Sequence, residues 1–282
     1  MKLSCLPVSL YGALSSGELA LREWFEFASE LGLDGADISV LHLDSLDRAY
    51  LRSVRDQAAD LGLSIPMLVT YSDFTQPSAQ DRAQQSEMLA RHIEAGHELG
   101  VSFLRVTAGQ AHPGVEREEG IAAAVDGLTG AMDAARQAGV TLAYENHTRG
   151  AGWTRNDFSQ PADIFLEIVR RTEGSGLGIL FDTANNLAHG DDPLPVLEAV
   201  KHRVSVVHLN DVGRAGYFEP VLLGTGVAPI VELLRMLVDT GFDGWVSVEE
   251  ASRRGQEVFP EAMRYADQAW NQAGGAQRTH QG

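Results

Sequence analysis

Short apolar runs alternate with longer amphipathic stretches along most of the chain. In the stretch from Ser86 to Gly96, for example, Leu89, Ile93 and Gly96 recur at the spacing of one helix face. The apolar runs between such stretches are short and rich in Val, Ile, Leu and Phe, as strands are. They predict eight strands at about 3–10, 35–40, 64–71, 102–108, 140–146, 177–183, 203–210 and 244–249.

Glycines punctuate this alternation. Five of them follow a helical pattern and precede an apolar run, and the first two read Leu31-Gly32-Leu33 and Leu61-Gly62-Leu63. The residue just past a helix often has a positive φ, which glycine adopts without a Cβ clash. The sequence therefore predicts that these five glycines end helices: Gly32, Gly62, Gly100, Gly139 and Gly241. Pro193 and Pro229 lie where a first helical turn is predicted to begin.

Eight strand–helix repeats in 282 residues predict an α/β fold, a single (β/α)8 TIM barrel, which typically takes roughly 250 residues. An open, doubly wound sheet is the alternative. The chain has neither a Gly-x-Gly-x-x-Gly after a strand nor a Gly-Lys-Ser/Thr phosphate loop, which disfavours that alternative. No linker interrupts the pattern. We therefore expect one barrel domain over residues 1–272 and a frayed C-terminal tail over 273–282.

The amino-acid composition limits the kinds of molecule that the protein is expected to bind. Lys and Arg number 22 against 39 Asp and Glu, so the formal net charge is −17. An acidic chain is poorly suited to nucleic acid or to anionic lipid, and no apolar run reaches the ~18 residues of a membrane span. The first residues are interpreted as a strand and not as a signal peptide. A single cysteine, Cys5, excludes an intrachain disulfide and fits a cytoplasmic location. The sequence leaves open whether the chain forms a homo-oligomer.

Four consecutive predicted strands end in an acid or a histidine. These residues are Glu145, Asp182, His208 and Glu249, separated from one another by about the length of one βα unit. In a TIM barrel the carboxyl ends of the strands form one face, and that face carries the functional residues. Alternation along each strand directs all four side chains into the barrel. We expect them to converge at its mouth.

Three carboxylates and an imidazole at one place require a cation, because buried charges are costly without a partner. A single acid at a strand end is more often a helix cap or a loop residue, but four in register favour a metal site. A set rich in oxygen with one nitrogen suits Mn²⁺ or Mg²⁺, and Co²⁺ or Zn²⁺ also fits. The sequence therefore predicts one bound divalent ion, with Mn²⁺ preferred.

The motifs around these residues resemble the sugar isomerase/epimerase-like TIM barrels, which are related to xylose isomerase, ketose 3-epimerases and endonuclease IV. The resemblance covers most of the chain and is strongest in Tyr144-Glu145-Asn146-His147, Phe181-Asp182-Thr183-Ala184-Asn185, Val207-His208-Leu209-Asn210-Asp211, Leu223-Gly224-Thr225-Gly226 and the segment from Gly241 to Glu249. It implies that Glu145, Asp182, His208 and Glu249 bind one metal. It also implies that the two glutamates act as acid and base, and that Arg214 binds substrate oxygens.

One position departs from the resemblance. The epimerases carry Asp-x-x-His on the sixth strand, and here the fourth position is Asn185. The difference leaves the metal site in place but puts the particular epimerase substrate in doubt. Asn185 remains a candidate for substrate binding together with His147 and Arg105. For His147 the alternative is support of a metal ligand, and for Arg105 it is a structural ion pair.

Two further features have competing interpretations. Asp211 is either a partner of the metal ligands or a cap for the loop that follows it. The segment Leu223-Gly224-Thr225-Gly226 resembles a phosphate cradle, but a tight turn before a helix is the preferred interpretation.

A metal between two glutamates suits removal of a proton next to a carbonyl. The sequence thus predicts a metal-dependent isomerase or epimerase of a small-molecule carbohydrate, working through a metal-stabilised enediolate. A lyase or dehydratase acting on a keto-sugar, keto-inositol or 3-keto-glycoside is the runner-up. More remote alternatives are an endonuclease IV-like phosphodiesterase and a carbohydrate-binding protein without catalysis.

Overall fold

Parallel strands form a nearly closed barrel with helices around it in the computed structural model, which describes residues 1–278. The strands are β1 Lys2–Leu6, β2 Gly35–Ala36, β3 Ile38–Ser39, β4 Met67–Val69, β5 Phe103–Val106, β6 Thr141–Glu145, β7 Gly178–Asp182, β8 Val204–Leu209 and β9 Trp245–Glu249. The helices are α1 Tyr11–Ser16, α2 Leu21–Glu30, α3 Arg48–Ala59, α4 Ala79–Leu99, α5 Arg117–Gly130, α6 Met132–Ala138, α7 Ala162–Arg171, α8 Asn185–His189, α9 Pro193–Val200, α10 Ile230–Val238 and α11 Phe259–Gln272. The predicted TIM barrel is confirmed.

The ninth strand arises because the second predicted strand is interrupted. The sheet order is β2-β1-β9-β8-β7-β6-β5-β4-β3, so its two ends are the neighbours β2 and β3 on either side of Asp37. Asp37 is buried, and its Oδ2 accepts hydrogen bonds from Ser4 Oγ at 2.7 Å and Ser247 Oγ at 2.5 Å. Together β2 and β3 count as one strand of an eight-stranded barrel. The Asp37 carboxylate between them is hydrogen-bonded to β1 through Ser4 and to β9 through Ser247.

Side chains along the strands divide between two apolar layers. The barrel interior contains residues such as Ala143, Leu180 and Val206. Their sequence neighbours, such as Tyr144 and Phe181, belong to the core between sheet and helices. This two-residue alternation confirms that the predicted side chains of β6, β7, β8 and β9 point into the barrel. It places Glu145, Asp182, His208 and Glu249 on the interior face at the barrel mouth.

The predicted helix-ending glycines all have positive φ. The angles are 68° at Gly32, 74° at Gly62, 73° at Gly100, 71° at Gly139 and 82° at Gly241. Gly100 and Gly139 are the residues directly after α4 and α6, where a left-handed conformation lets the chain leave the helix. The glycine pattern was therefore a reliable indicator of the βα period.

The segment after α11 folds back in its first part. Trp270 Nε1 donates a hydrogen bond to the carbonyl of Ala276 at 3.0 Å, and Arg278 lies 3.0 Å from Asp34 Oδ2 and 3.2 Å from Asp267 Oδ1. Of the tail predicted over 273–282, Ala273 is buried and Arg278 is attached to the barrel by these ion pairs, and 279–282 lie outside the described residues. Among the helices of residues 1–278, none is long and apolar enough to cross a membrane.

Asp211, just past β8, organises the loop before α10. Its Oδ2 accepts the N–H groups of Gly224 at 3.1 Å and Gly226 at 2.8 Å, and its Oδ1 accepts those of Val212 at 2.9 Å and Ala228 at 3.0 Å. The glycine segment therefore turns around a carboxylate of the chain itself. This favours the loop-cap interpretation of Asp211 and the turn interpretation of Leu223–Gly226 over a phosphate cradle.

Replacing Asp211 by alanine should destabilise the protein strongly. The substitution leaves four backbone N–H groups without their charged acceptor at a site that is 2% exposed. We expect the free energy of unfolding to fall by about 3 kcal/mol, because one hydrogen bond to a charged group contributes about 1.5–3 kcal/mol. Urea unfolding at an unchanged m-value would measure the loss. Asp239→Ala, at the exposed end of α10, is the control; equal losses in the two variants would contradict the role of Asp211.

Candidate metal centre

The ends of four neighbouring strands meet at the barrel mouth. Glu145 ends β6, Asp182 ends β7, Glu249 ends β9, and His208 is paired with Asp182 in the register of β7 and β8. One potential ligand atom from each of the four lies within 4.8 Å of the others. Three of the side chains are buried, and that of Glu249 is 17% exposed. Within residues 1–278 this is the one cluster of three or more such groups, and it could hold one metal ion.

His208 holds the two glutamates together. Its Nδ1 lies 2.9 Å from Glu145 Oε1 and 3.0 Å from Glu249 Oε2. Burial lowers the pKa of His208, but the hydrogen bonds and charges of the two glutamates outweigh burial and raise the pKa to about 10. In the metal-free protein the imidazole is therefore protonated at neutral pH and substitutes for part of the positive charge that the cluster requires.

The pKa values of the two buried acids shift in opposite directions. Burial raises the pKa of Glu145, but Arg105, with Nη1 at 3.2 Å from Glu145 Oε2, and the nearby histidines bring it down to about 2. Burial raises the pKa of Asp182 well above its ordinary value, and the charges of Glu249 and Glu145 raise it further. Asp182 is thus the carboxylate that most needs a cation in order to ionise.

Unpartnered oxygens show that the cluster fits a metal. Asp182 Oδ1 accepts the N–H groups of Ala184 at 2.8 Å and Asn185 at 2.7 Å, but its Oδ2 is buried without a hydrogen-bond partner. Glu145 Oε2 also lacks a hydrogen bond, but the Arg105 guanidinium lies 3.2 Å from it as a counter-charge. Buried acceptors are normally satisfied, so the Asp182 Oδ2 that faces the other carboxylates without any partner indicates a place for a cation. Three carboxylates and one imidazole are a suitable ligand set for a divalent ion.

Asn146 fixes the position of Asp182. Its side-chain Oδ1 accepts the N–H of Asp182 at 2.7 Å, and its Nδ2 donates to the carbonyl of Asp182 at 2.9 Å and to Asn186 Oδ1 at 2.8 Å. Both hydrogen bonds to Asp182 go to backbone. They hold the ends of β6 and β7 at a constant separation and leave the Asp182 carboxylate free to face the cluster.

A cavity of about 760 Å³ opens above the cluster. Three of the predicted site residues line it: Arg105, His147 and Glu249. His147 Nδ1 lies 3.4 Å from Asp157 Oδ2, and its Nε2 lies 4.0 Å from Glu145 Oε2. The guanidinium of Arg105 lies 4.8 Å from the ring centre of Tyr71, which also lines the cavity. The cavity thus meets a carboxylate, an imidazole and a guanidinium at its floor.

Two predicted residues lie elsewhere. Asn185 is buried at the start of α8, where its Oδ1 accepts a hydrogen bond from Thr148 Oγ1 at 2.6 Å, and it is not among the cavity-lining residues. Arg214 is exposed, stacks on the ring of Tyr217 at 3.5 Å and pairs with Glu219 at 3.5 Å. The structure brings neither side chain to the cavity.

Several cavity residues are absent from the sequence prediction. They include Tyr71 and Trp153 and, on the loops after the two glutamates, Arg149 and Arg253. The two arginines carry a sequence signal, because each lies four residues past a predicted ligand at a strand end. The two aromatic residues carry none, since their loops fold over the mouth by tertiary contacts. The ring of Trp153, for example, packs edge-on to His147 at 5.7 Å.

Known proteins are similar to this chain in sequence or share its fold. The chain is 26% identical over 216 residues to a 3-dehydroshikimate dehydratase of Pseudomonas aeruginosa, over 75% of this chain and 31% of the relative, so it spans about a third of that relative's length. It is 25% identical over 273 residues to the L-ribulose-5-phosphate 3-epimerase UlaE of Salmonella paratyphi A, over 93% of each chain. Among solved structures, the IOLI protein with a binding zinc atom aligns over 97% of this chain and 99% of its own, with a TM-score of 0.77 and 19% identity.

A family model covers most of the barrel. Residues 25–270 match the model described as the xylose isomerase-like TIM barrel. That span begins in α2, ends in α11 and contains all four residues of the metal-ligand cluster. The chain therefore belongs to the xylose isomerase-like TIM barrel family.

Proposed function

We propose that this protein is a metal-dependent sugar isomerase or epimerase, which removes and returns a proton next to a carbonyl of a small-molecule carbohydrate. One observation carries the proposal. The carboxylate of Glu249 belongs to the ligand cluster and at the same time lines the cavity above it. A substrate in that cavity therefore meets a base directly beside the place where a metal would hold its oxygens.

Glu145, Asp182, His208 and Glu249 would hold the ion, and Mn²⁺ is the ion we propose for this set of three carboxylates and one imidazole. When bound, a divalent ion supplies Lewis acidity toward the carbonyl and hydroxyl oxygens of the substrate. The chain's own residues supply the proton transfers and the positioning.

Glu249 takes the carbon-bound proton. Its side chain is the most accessible of the four, at 17% exposed, whereas that of Glu145 is 1% exposed. Glu145, whose pKa of about 2 leaves it ionised, would return a proton that it first takes from His147, which lies 4.0 Å away and reaches the cavity. Return to the same carbon from the opposite face gives epimerisation, and return to the neighbouring carbon gives isomerisation.

Arg105 orients the substrate from the cavity floor. It is 3% exposed; its Nη1 forms an ion pair with Glu145 Oε2 at 3.2 Å, and its Nε is buried without a hydrogen-bond partner. A guanidinium has five N–H donors, and donors left unpaired in a buried site cost about 1–3 kcal/mol. Substrate hydroxyl or carbonyl oxygens would satisfy them. Trp153 and Phe218, which line the cavity walls, would exclude water from the reacting carbon.

A dehydratase or lyase is the second candidate. It needs an acid that protonates a leaving hydroxyl, and His147, lining the cavity with buried Asp157 behind it at 3.4 Å, is suitably placed. The relatives support both outcomes, since one is named an epimerase and another a dehydratase. The first step, loss of a proton next to a carbonyl, is common to the two.

Solvent exchange tests the proposal. The Mn²⁺-loaded protein should incorporate deuterium from D₂O at the carbon next to the carbonyl of ketoses, keto-inositols or 3-keto-glycosides, followed by NMR. An isomerised or epimerised product supports the first candidate, and loss of water with formation of an unsaturated carbonyl supports the second. Ligands that bind without any exchange would indicate a carbohydrate-binding protein and would overturn both.

A further inference from the structure

We propose that the substrate carries an anionic oxygen group, a carboxylate or a phosphate, which Arg149 and Arg253 bind at the cavity mouth. This inference rests on the proposed function and specifies its substrate class. Both arginines line the cavity, one on the loop after β6 and the other on the loop after β9. Each lies four residues past a glutamate of the cluster, so the two loops follow the strands that carry the proposed acid and base.

Neither arginine is neutralised by the protein. Most arginines of this chain pair with a carboxylate, as Arg171 does with Glu118 and Glu167. Within the described residues, Arg149 and Arg253 have no carboxylate oxygen within 4.0 Å. Other arginines of the described residues, such as Arg155 and Arg254, also have no such partner, but they do not line the cavity. Two guanidinium groups without a carboxylate partner at one cavity are suited to bind a negatively charged group of a ligand.

The cluster below does not need these two charges. Three ligand carboxylates carry three negative charges, and a divalent ion together with Arg105 balances them. Glu219, the other acid that lines the cavity, pairs with Arg214 at 3.5 Å. The charges of Arg149 and Arg253 are therefore in excess at the mouth, where both exposed side chains would attract an anion that approaches the cavity.

Arg149 is oriented but not saturated. Its Nε and Nη2 donate to the carbonyl of Trp153 at 3.1 and 3.0 Å. A neutral carbonyl fixes the direction of the guanidinium without cancelling its charge. The remaining N–H donors, including those of Nη1, stay available for the oxygens of a ligand.

Arg253 is held in an unfavourable backbone conformation. Its φ is 57°, and within residues 1–278 it is the one non-glycine residue with positive φ. Its N–H donates to Ser9 Oγ at 2.8 Å, which fixes the loop after β9 to the loop after β1. The left-handed conformation costs an ordinary side chain about 1–2 kcal/mol, and glycine would avoid that cost. An arginine at a strained position that lines a cavity indicates a role for its side chain.

Three matched probes test the proposal: D-fructose, D-fructose 6-phosphate and D-fructuronate, which are neutral, phosphorylated and carboxylated forms of one ketose. Thermal shift and calorimetry with the metal-loaded protein report binding without requiring turnover. We expect at least one anionic probe to bind about tenfold or more tightly than fructose. Preference for the phosphate or for the carboxylate identifies which anion the site takes.

The variants Arg149→Gln and Arg253→Gln should each weaken binding of the preferred anion about tenfold and leave fructose unchanged. Arg253→Gly removes the guanidinium without adding backbone strain, and its melting temperature before ligand addition separates loss of binding from loss of fold. Arg155→Gln and Arg254→Gln are controls, since both arginines are exposed nearby and do not line the cavity.

The outcomes separate this inference from the proposed function. No anion preference at millimolar concentrations, or equal losses in the Arg155 and Arg254 controls, overturns the anion site even if proton exchange occurs. Anion binding that depends on Arg149 and Arg253, but without proton exchange into any bound keto compound, supports the anion site and overturns the proposed chemistry.

Discussion

Glu249→Gln is expected to lower kcat by about a thousandfold while the protein stays folded. General base catalysis by a positioned side chain contributes about 10²–10⁴-fold, and glutamine cannot accept the substrate proton. The side chain lies at the edge of the cluster and is 17% exposed, so the shape of the barrel does not depend on its charge. Steady-state kinetics on the substrate found by deuterium exchange, with circular dichroism for the fold, would measure the effect.

Loss of the metal must be separated from loss of the base, because Glu249 is also a proposed ligand. Elemental analysis of Glu249→Gln and Asp182→Asn at saturating Mn²⁺ provides that comparison. Asp182 lies deeper in the cluster and has no proposed proton to carry, so Asp182→Asn should lose activity in proportion to lost metal. Glu257→Gln, an exposed glutamate on the following segment, should retain full activity. Near-normal turnover in metal-loaded Glu249→Gln would remove this residue from the mechanism.

The fold was predictable because the apolar runs and the helix-ending glycines both repeat at the length of one βα unit. A residue at positive φ after a helix is almost forced to be glycine, so Gly100 and Gly139 mark the βα period in the sequence itself. The break in the second strand was not predictable. The segment 35–40 is apolar enough for one strand, and the interruption depends on Asp37 bonding to Ser4 and Ser247, which come from distant parts of the chain.

The same distinction applies to the site. The positions of the four cluster residues follow from strand register and from the alternation of inward and outward side chains along each strand. These residues are Glu145, Asp182, His208 and Glu249. Loop residues are not fixed in this way. The position of Arg214 was inferred from a family offset, but the loop after β8 turns its guanidinium onto Tyr217 and Glu219. Conversely, the loops after β6 and β9 bring Arg149 and Arg253 to the cavity.

Removal of the metal is expected to abolish turnover, and its return should release protons. The metal-free cluster carries a proton on His208, whose pKa is raised to about 10, and Asp182 has its pKa raised well above the ordinary value. A metal ion binds the deprotonated forms, so binding displaces these protons. At pH 7 to 8 we expect about one proton per metal from His208, with an additional fraction from Asp182 that grows as the pH falls.

The two raised pKa values should make the metal-free protein less stable as the pH rises. A raised pKa means that the folded metal-free protein binds more protons than the unfolded chain does, so its stability falls as the pH rises. The contribution of His208 is fully present below its ordinary pKa of 6.5 and is lost as the pH rises through about 10. Asp182 becomes destabilising once the pH exceeds its ordinary pKa of 3.8. Metal replaces the displaced protons as counter-charge, so the stabilisation produced by Mn²⁺ should increase from pH 6 to pH 9.

Calorimetric titration of the chelator-treated protein with Mn²⁺, in buffers of different ionisation enthalpy, counts the protons directly, and melting temperatures with and without metal give the trend in stability. His112→Asn changes a histidine outside the cluster, which pairs with Asp73 at 2.9 Å, and should leave the proton count unchanged. Asp182→Asn should reduce both the metal affinity and the excess protons released at low pH. Metal binding without proton release at pH 7, or a metal-induced stabilisation that shrinks as the pH rises, would show that His208 is not held as an imidazolium by the glutamates of this cluster.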